Sequence, residues 1–102
     1  MANEVYHYMV DFTMPAVLTE RFTSRIPDQR ALVNKYFTDG KLVSYSVSLE
    51  KLKVWAVFIA ESEEEVLELI RAMPLTRYMR HEISVLTFYN ILTSRVPNFS
   101  MN

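Results

Sequence analysis

The chain has 102 residues, half of them hydrophobic, and a formal net charge of -1 at pH 7. This length fits one domain with one core, and a near-neutral charge without a Lys/Arg cluster argues against a nucleic-acid partner. With no cysteine and only His7 and His81, the sequence excludes disulfides and thiolate ligands and argues against a histidine-rich metal site. No segment has the pattern of a signal peptide or of a membrane span, so we expect a cytoplasmic protein without membrane contacts.

The first half of the chain has the pattern of a strand followed by a long helix. Residues 4–12 alternate between two faces, as a strand does. Thr19 is a candidate N-cap for a helix that reaches about residue 38. Pro27 in the middle of that helix predicts a kink or a break, because proline has no backbone N–H to donate. Gly40, the only glycine, is predicted to end the helix in a left-handed conformation.

A hairpin is predicted next. Residues 41–49 alternate again, which places Leu42 and Tyr45 on opposite faces of a second strand. A short connection leads directly to residues 54–59, an apolar run that is hydrophobic on both faces of a third strand.

A second helix and a last strand complete the pattern. Ser62 and Glu65 form a capping box ahead of a helix whose apolar residues recur at i, i+3, i+4 and i+7. Pro74 ends this helix, and residues 81–90 have the composition of a fourth strand.

The order of elements is β-α-β-β-α-β, which is that of the α+β ferredoxin-like fold. We therefore predict a single domain over residues 1–102, with residues 91–102 as a C-terminal arm. Two helices cover only one face of such a sheet, and the strand at 54–59 is apolar on both faces. We expect a second copy of the chain to cover the other face, which predicts a dimeric α+β barrel and a homo-oligomer that is a dimer at minimum.

A distinctive motif follows the second predicted helix. Residues 74–79 read Pro-Leu-Thr-Arg-Tyr-Met, and Glu82-Ile83 come shortly afterwards. This segment resembles the "LPLFPYM-x-x-E-V" run of the muconolactone delta-isomerases, and the resemblance extends more thinly into the first half, where Asp28, Leu32 and Gly40 align. It implies a dimeric ferredoxin-like barrel, assembled into larger oligomers such as a ring of dimers, and an isomerase with no metal or organic cofactor.

Two segments depart from that family. Its Glu-Lys pair in the first helix is Gln29-Arg30 here, and its aromatic and basic run, W-R-H-L-W-R, is Leu-Val-Ser-Tyr-Ser-Val at residues 42–47. The resemblance implies catalytic and substrate-carboxylate contacts from these two regions. The resemblance therefore implies the same fold and does not identify the substrate.

Isomerising an unsaturated lactone acid requires a base that returns the proton, a cation for the carboxylate and a shielded pocket. We predict this pocket between the first helix and the sheet, near Pro27. Asp28 and His7 are the candidate proton carriers, and Arg30 and Tyr45 are the candidate substrate contacts. Each has a structural alternative: Asp28 as an N-cap after the helix break, His7 as an interface histidine, Arg30 as a solvated charge, and Tyr45 as part of a serine-rich edge strand.

The sequence thus favours a cofactor-free isomerase that acts on a small unsaturated acid by proton transfer. The alternative is a non-catalytic module that binds a small molecule, or forms oligomers, on the same barrel. A cofactor-independent oxygenase is a third hypothesis. A pocket that holds Asp28 or His7 beside an arginine favours the enzyme, whereas a fully packed interior favours the module.

Overall fold

The computed structural model of the protein describes residues 4–91, which form a four-stranded antiparallel sheet and its helices. The elements follow the chain as β1 (Tyr6–Thr13), α1 (Glu20–Thr23), α2 (Ile26–Thr38), β2 (Leu42–Ser48), β3 (Lys53–Ala60), α3 (Glu63–Arg71), a 3-10 turn (Thr76–Tyr78) and β4 (Arg80–Val85). The strands are arranged β2-β3-β1-β4, so β2 and β4 are the edges. This is the predicted α+β ferredoxin-like fold. Among the described helices, none is long and apolar enough to cross a membrane.

The core lies between the helices and one face of the sheet. Alternate residues of β1 point into it, as the sequence predicts, and Val10 on this strand and Phe58 on β3 are fully buried. The helix α3 contributes Val66 and Ile70 from its apolar stripe. Ser62 caps α3 as predicted, since its Oγ accepts a hydrogen bond of 3.2 Å from the N–H of Glu65.

The first predicted helix is two helices. Ser24 and Arg25 separate α1 from α2, and Pro27 lies in the first turn of α2. Proline is tolerated there because the N–H groups of a first turn have no partner within the helix. The predicted break is confirmed, although it precedes Pro27, and Thr19 caps α1 as expected. Gly40 follows α2 with a φ of 74°, the left-handed conformation that was predicted.

A β-bulge in β2 changes which of its residues face the helices. The register shifts between Leu42 and Ser44, so that Leu42 pairs with Phe58 and Tyr45 pairs with Ala56. Because residues 56 and 58 lie on the same face of β3, Leu42 and Tyr45 also share a face. The prediction that they lie on opposite faces is wrong, since the bulge inserts one extra residue between them. Tyr45 is thereby directed toward the helices.

The last strand is shorter than predicted. It ends at Val85 rather than at residue 90, and the segment after it returns over the helix-free face of the sheet, where the Tyr89 ring stacks on His7 with 4.5 Å between ring centroids. The predicted arm at 91–102 lies outside the described residues, apart from Ile91.

The helix-free face of the sheet has an apolar band between two polar edges. Met9 on β1 and Trp55 and Ile59 on β3 are half-buried in this band. Ser46 on β2 and Glu82 on β4 are exposed on the two sides of it. The band is the surface on which the sequence predicts a second copy.

Candidate functional site

A cavity of about 490 Å³ lies between the two helices α1 and α2 and the β2 side of the sheet. This is the region near Pro27 in which the sequence predicts a pocket. The wall is largely apolar, with contributions from Met14, Phe22, Ile26, Val33, Val54 and Met79. Three exposed apolar residues, Phe37, Val47 and Leu49, also line it. The cavity is therefore a cleft that opens to the surface, and it is of the size that a small molecule occupies.

A buried amide forms the polar part of the cavity wall. Gln29 lies on the inner side of α2 and is only 4% exposed. Its Oε1 accepts a hydrogen bond of 3.0 Å from the N–H of Leu75, and its Nε2 donates one of 3.1 Å to Oη of Tyr45. One side chain thus joins α2, the turn that precedes the 3-10 helix, and β2.

The hydroxyl of Tyr45 keeps its proton at neutral pH. Burial raises its pKa above the ordinary value of 10.0, and the hydrogen bond from Gln29 lowers it by a smaller amount. A hydroxyl in this state can donate a hydrogen bond to a ligand and is a poor base. Tyr45 is therefore suited to donate a hydrogen bond to a ligand rather than to accept a proton from it.

Arg30 supplies positive charge beside this polar wall. It follows Gln29 on α2, is exposed and lines the cavity together with Asn34. Among the described residues that line the cavity, Arg30 is the only one with a charged side chain. Its guanidinium group can hold a carboxylate with two parallel hydrogen bonds.

The structure brings together two of the four predicted site residues. Arg30 and Tyr45 both line the cavity. Asp28 is exposed in the first turn of α2 and is not part of the lining, and His7 lies on the helix-free face of the sheet, stacked on Tyr89. A role in proton transfer stays a prediction for both.

The alternative reading of Asp28 as an N-cap is wrong. The helix α2 begins at Ile26, so its N-cap position is occupied by Arg25, which makes no capping hydrogen bond through its side chain. Asp28 lies inside the first turn, where its negative charge interacts favourably with the positive end of the helix dipole.

Gln29 is a further site residue. In the sequence it stands out only as a departure from the Glu-Lys pair of the isomerases. Its spacing was the available signal, because Gln29, Val33 and Tyr36 recur at i, i+4 and i+7 and are the buried residues of α2. A glutamine on the buried stripe of a helix requires buried hydrogen-bond partners.

A second depression, of about 350 Å³, lies on the helix-free face and is polar. Lys53 on β3 forms an ion pair of 2.5 Å with Asp11 on β1. It also donates a hydrogen bond of 2.9 Å to the hydroxyl of Thr13 on the same strand as Asp11. These charges neutralise one another, so we assign this depression no ligand. In residues 4–91 no three histidine, cysteine or acidic side chains stand close enough together to share a metal ion.

The model of one protein family, described as muconolactone delta-isomerase, matches residues 5–90 of the chain. The matched region contains every strand and helix of the described structure, together with Asp28, His7, Arg30 and Tyr45. No protein of curated function matches the sequence. Because the family match covers most of the chain, the protein belongs to the muconolactone delta-isomerase family.

Proposed function

We propose that the protein is a cofactor-free isomerase that moves a proton within a small, unsaturated lactone acid, and that the cavity beside α2 is its active site. The observation that carries the proposal is the arrangement of this cavity. A largely apolar space of about 490 Å³ contains one hydrogen-bonded polar pair, the buried Gln29 and the half-buried Tyr45, and one cation, Arg30. The ring of such a substrate fits the apolar space, its carbonyl oxygen fits the polar pair, and its carboxylate fits the cation.

The apolar wall fits the carbon skeleton of such a substrate. Small-molecule sites are commonly 300–1,000 Å³ in volume, with apolar walls and a few polar groups that set the orientation of the ligand. Phe22, Val33 and Val54 provide walls of this kind.

Arg30 and Tyr45 fit the two oxygen-bearing ends of the substrate. We assign the carboxylate to Arg30, because an arginine fork binds a carboxylate with charge-assisted hydrogen bonds. We assign the lactone carbonyl to Tyr45, whose protonated hydroxyl is a donor. With both ends held, the ring lies against the apolar wall in one orientation.

The reaction is a shift of one double bond. A base removes a proton from the ring carbon that bears the acetate group, the electron pair forms a new carbon–carbon double bond, and the former double bond passes its electrons to the carbonyl oxygen. A proton then returns to the carbon next to the carbonyl, so that the overall change is an isomerisation. Because negative charge develops on the carbonyl oxygen, a donor at that oxygen stabilises the transition state more than the ground state.

Asp28 is our candidate for the base. Its neighbours Ile26, Gln29 and Arg30 line the cavity, so its backbone lies beside the proposed site. The exposed side chain must adopt another rotamer to reach a ligand. His7 lies on the other side of the sheet and is therefore the weaker candidate for this cavity.

One observation favours a second function, a binding module without catalysis. Among the described residues that line the cavity, none is a carboxylate or a histidine. A module would bind the lactone acid through Arg30 and Tyr45 and release it unchanged. Turnover therefore separates the two functions, whereas binding alone does not.

We also propose that the protein is a homodimer at minimum. The apolar band of Met9, Trp55 and Ile59 on the helix-free face is the surface that a second sheet would cover. Larger assemblies, such as a ring of dimers, are compatible with this pairing.

Tyr45→Phe and Arg30→Met test the two assigned contacts with muconolactone as the substrate. Tyr45→Phe is expected to lower kcat by roughly 100-fold, because it removes a donor to the developing negative charge. Arg30→Met is expected to raise KM by about tenfold or more, because it removes a charge-assisted hydrogen bond to the substrate. Arg21→Met, which removes an exposed arginine of α1 outside the cavity, is the control and should change neither constant. Equal, small effects of all three variants would contradict the assignment.

Asp28→Asn tests the base. The substitution keeps the size of the side chain and removes its ability to accept a proton, so turnover of muconolactone should be lost while the melting temperature changes little. Unchanged turnover would mean that another group acts as the base. A wild-type protein that binds muconolactone without converting it would favour the binding module.

Light scattering at micromolar concentration tests the dimer. The wild-type protein is expected to have at least twice the mass of one chain, and Trp55→Glu is expected to lower the mass by placing a charge in the apolar band. Val17→Glu adds the same charge at a loop residue that is 71% exposed and should leave the mass unchanged. A wild-type monomer would overturn the proposed dimer.

A further inference from the structure

We infer that Gln29 is a positioning residue that aims the hydroxyl proton of Tyr45 into the cavity, where it is available to a carbonyl oxygen of the ligand. The identity of that ligand rests on the proposed function. The direction of the proton rests only on the two hydrogen bonds of Gln29.

The first hydrogen bond determines which way the Gln29 amide faces. The N–H of Leu75 is a backbone donor, and it lies 3.0 Å from one end of the amide. A donor requires an acceptor, so this end must be the oxygen. The NH₂ end then faces Tyr45, 3.1 Å from its Oη.

The second hydrogen bond determines the direction of the tyrosine proton. An amide NH₂ group can only donate, so the oxygen of Tyr45 must be the acceptor. The hydroxyl proton of Tyr45 cannot point at Gln29 and is free for another acceptor. Within residues 4–91 no side chain or backbone oxygen takes that proton, and Tyr45 lines the cavity.

The orientation of the Gln29 amide is fixed because this side chain is only 4% exposed. Rotating the amide by half a turn would place its NH₂ group against the N–H of Leu75, two donors facing each other without water to satisfy them. Leaving buried donors unsatisfied costs free energy. The neutral amide therefore determines the donor role of Tyr45.

Gln29→Glu should reverse the second hydrogen bond and leave the first intact. An ionised carboxylate accepts from the N–H of Leu75 with one oxygen and from the hydroxyl of Tyr45 with the other. The tyrosine proton then points at the carboxylate and away from the cavity. When the introduced carboxyl group is protonated, it can donate to Tyr45 as the amide does, and the original direction returns.

The test uses two probes that differ by one oxygen: a saturated five-membered lactone that carries an acetate group, and the matching cyclic ether acetate, which has no carbonyl. Binding is measured by calorimetry for the wild-type protein and for Gln29→Glu. At neutral pH the variant should bind the lactone about tenfold more weakly, the effect of one lost hydrogen bond with an unsatisfied partner, and should bind the ether with a much smaller change. Relative to the wild type, lactone binding should recover as the pH is lowered.

Equal weakening of both probes would overturn the inference, because it would mean that Gln29→Glu acts through its charge, if binding recovers at low pH, or through a disturbed cavity, if it does not. If the wild type binds neither probe, the proposed function fails, and the titration of Tyr45 in the free protein then decides the inference. Gln29→Glu should raise the pKa of Tyr45 by more than Asn34→Asp does. The pKa is measured by NMR at the ring carbon that bears the hydroxyl. The control adds the same charge to the cavity wall without a hydrogen bond to Tyr45. An equal rise in both variants would overturn the inference.

Discussion

The buried amide of Gln29 is the interaction on which the proposed site depends. It joins α2 to Leu75 on one side and to Tyr45 on the other, so the helix, the turn before the 3-10 helix and the edge strand are held in a single arrangement. Breaking either contact would leave a buried polar group without a partner, which costs more than an ordinary hydrogen bond contributes. The two polar ends of this amide also determine how the hydroxyl of Tyr45 is directed.

The cavity itself results from two interruptions of regular structure. The break at Ser24 and Arg25 separates α1 from α2, and residues of both helices line the space. The bulge in β2 turns Tyr45 to the helix-facing side of the sheet. Without the bulge, strict alternation from Leu42 would direct the hydroxyl of Tyr45 to the opposite face, away from Gln29. The bulge in β2 thus places a polar side chain in an otherwise apolar site.

Much of the fold can be predicted from the sequence because its signals are local. The capping box at Ser62, the left-handed Gly40 and the alternation of β1 each follow from a few neighbouring residues, and all three are present in the structure. The bulge could not be predicted, because it depends on how β2 pairs with β3 and leaves no distinct residue pattern.

The site was predictable only in part for the same reason. Arg30 and Tyr45 could be proposed from their chemistry, but the partnership of Gln29 with Leu75 joins residues 46 positions apart in the chain. Asp28 is a different case. It was predicted as a proton carrier in a pocket near Pro27, and the structure has the break before Pro27 and Asp28 exposed in the first turn of α2.

The most direct test is a crystal structure of the protein with the saturated lactone acetate bound. We expect the ring in the cavity beside α2, the carbonyl oxygen within about 3.2 Å of Oη of Tyr45, and the carboxylate at Arg30. A ligand on the helix-free face of the sheet, or one in the cavity with its carbonyl directed away from Tyr45, would contradict this account.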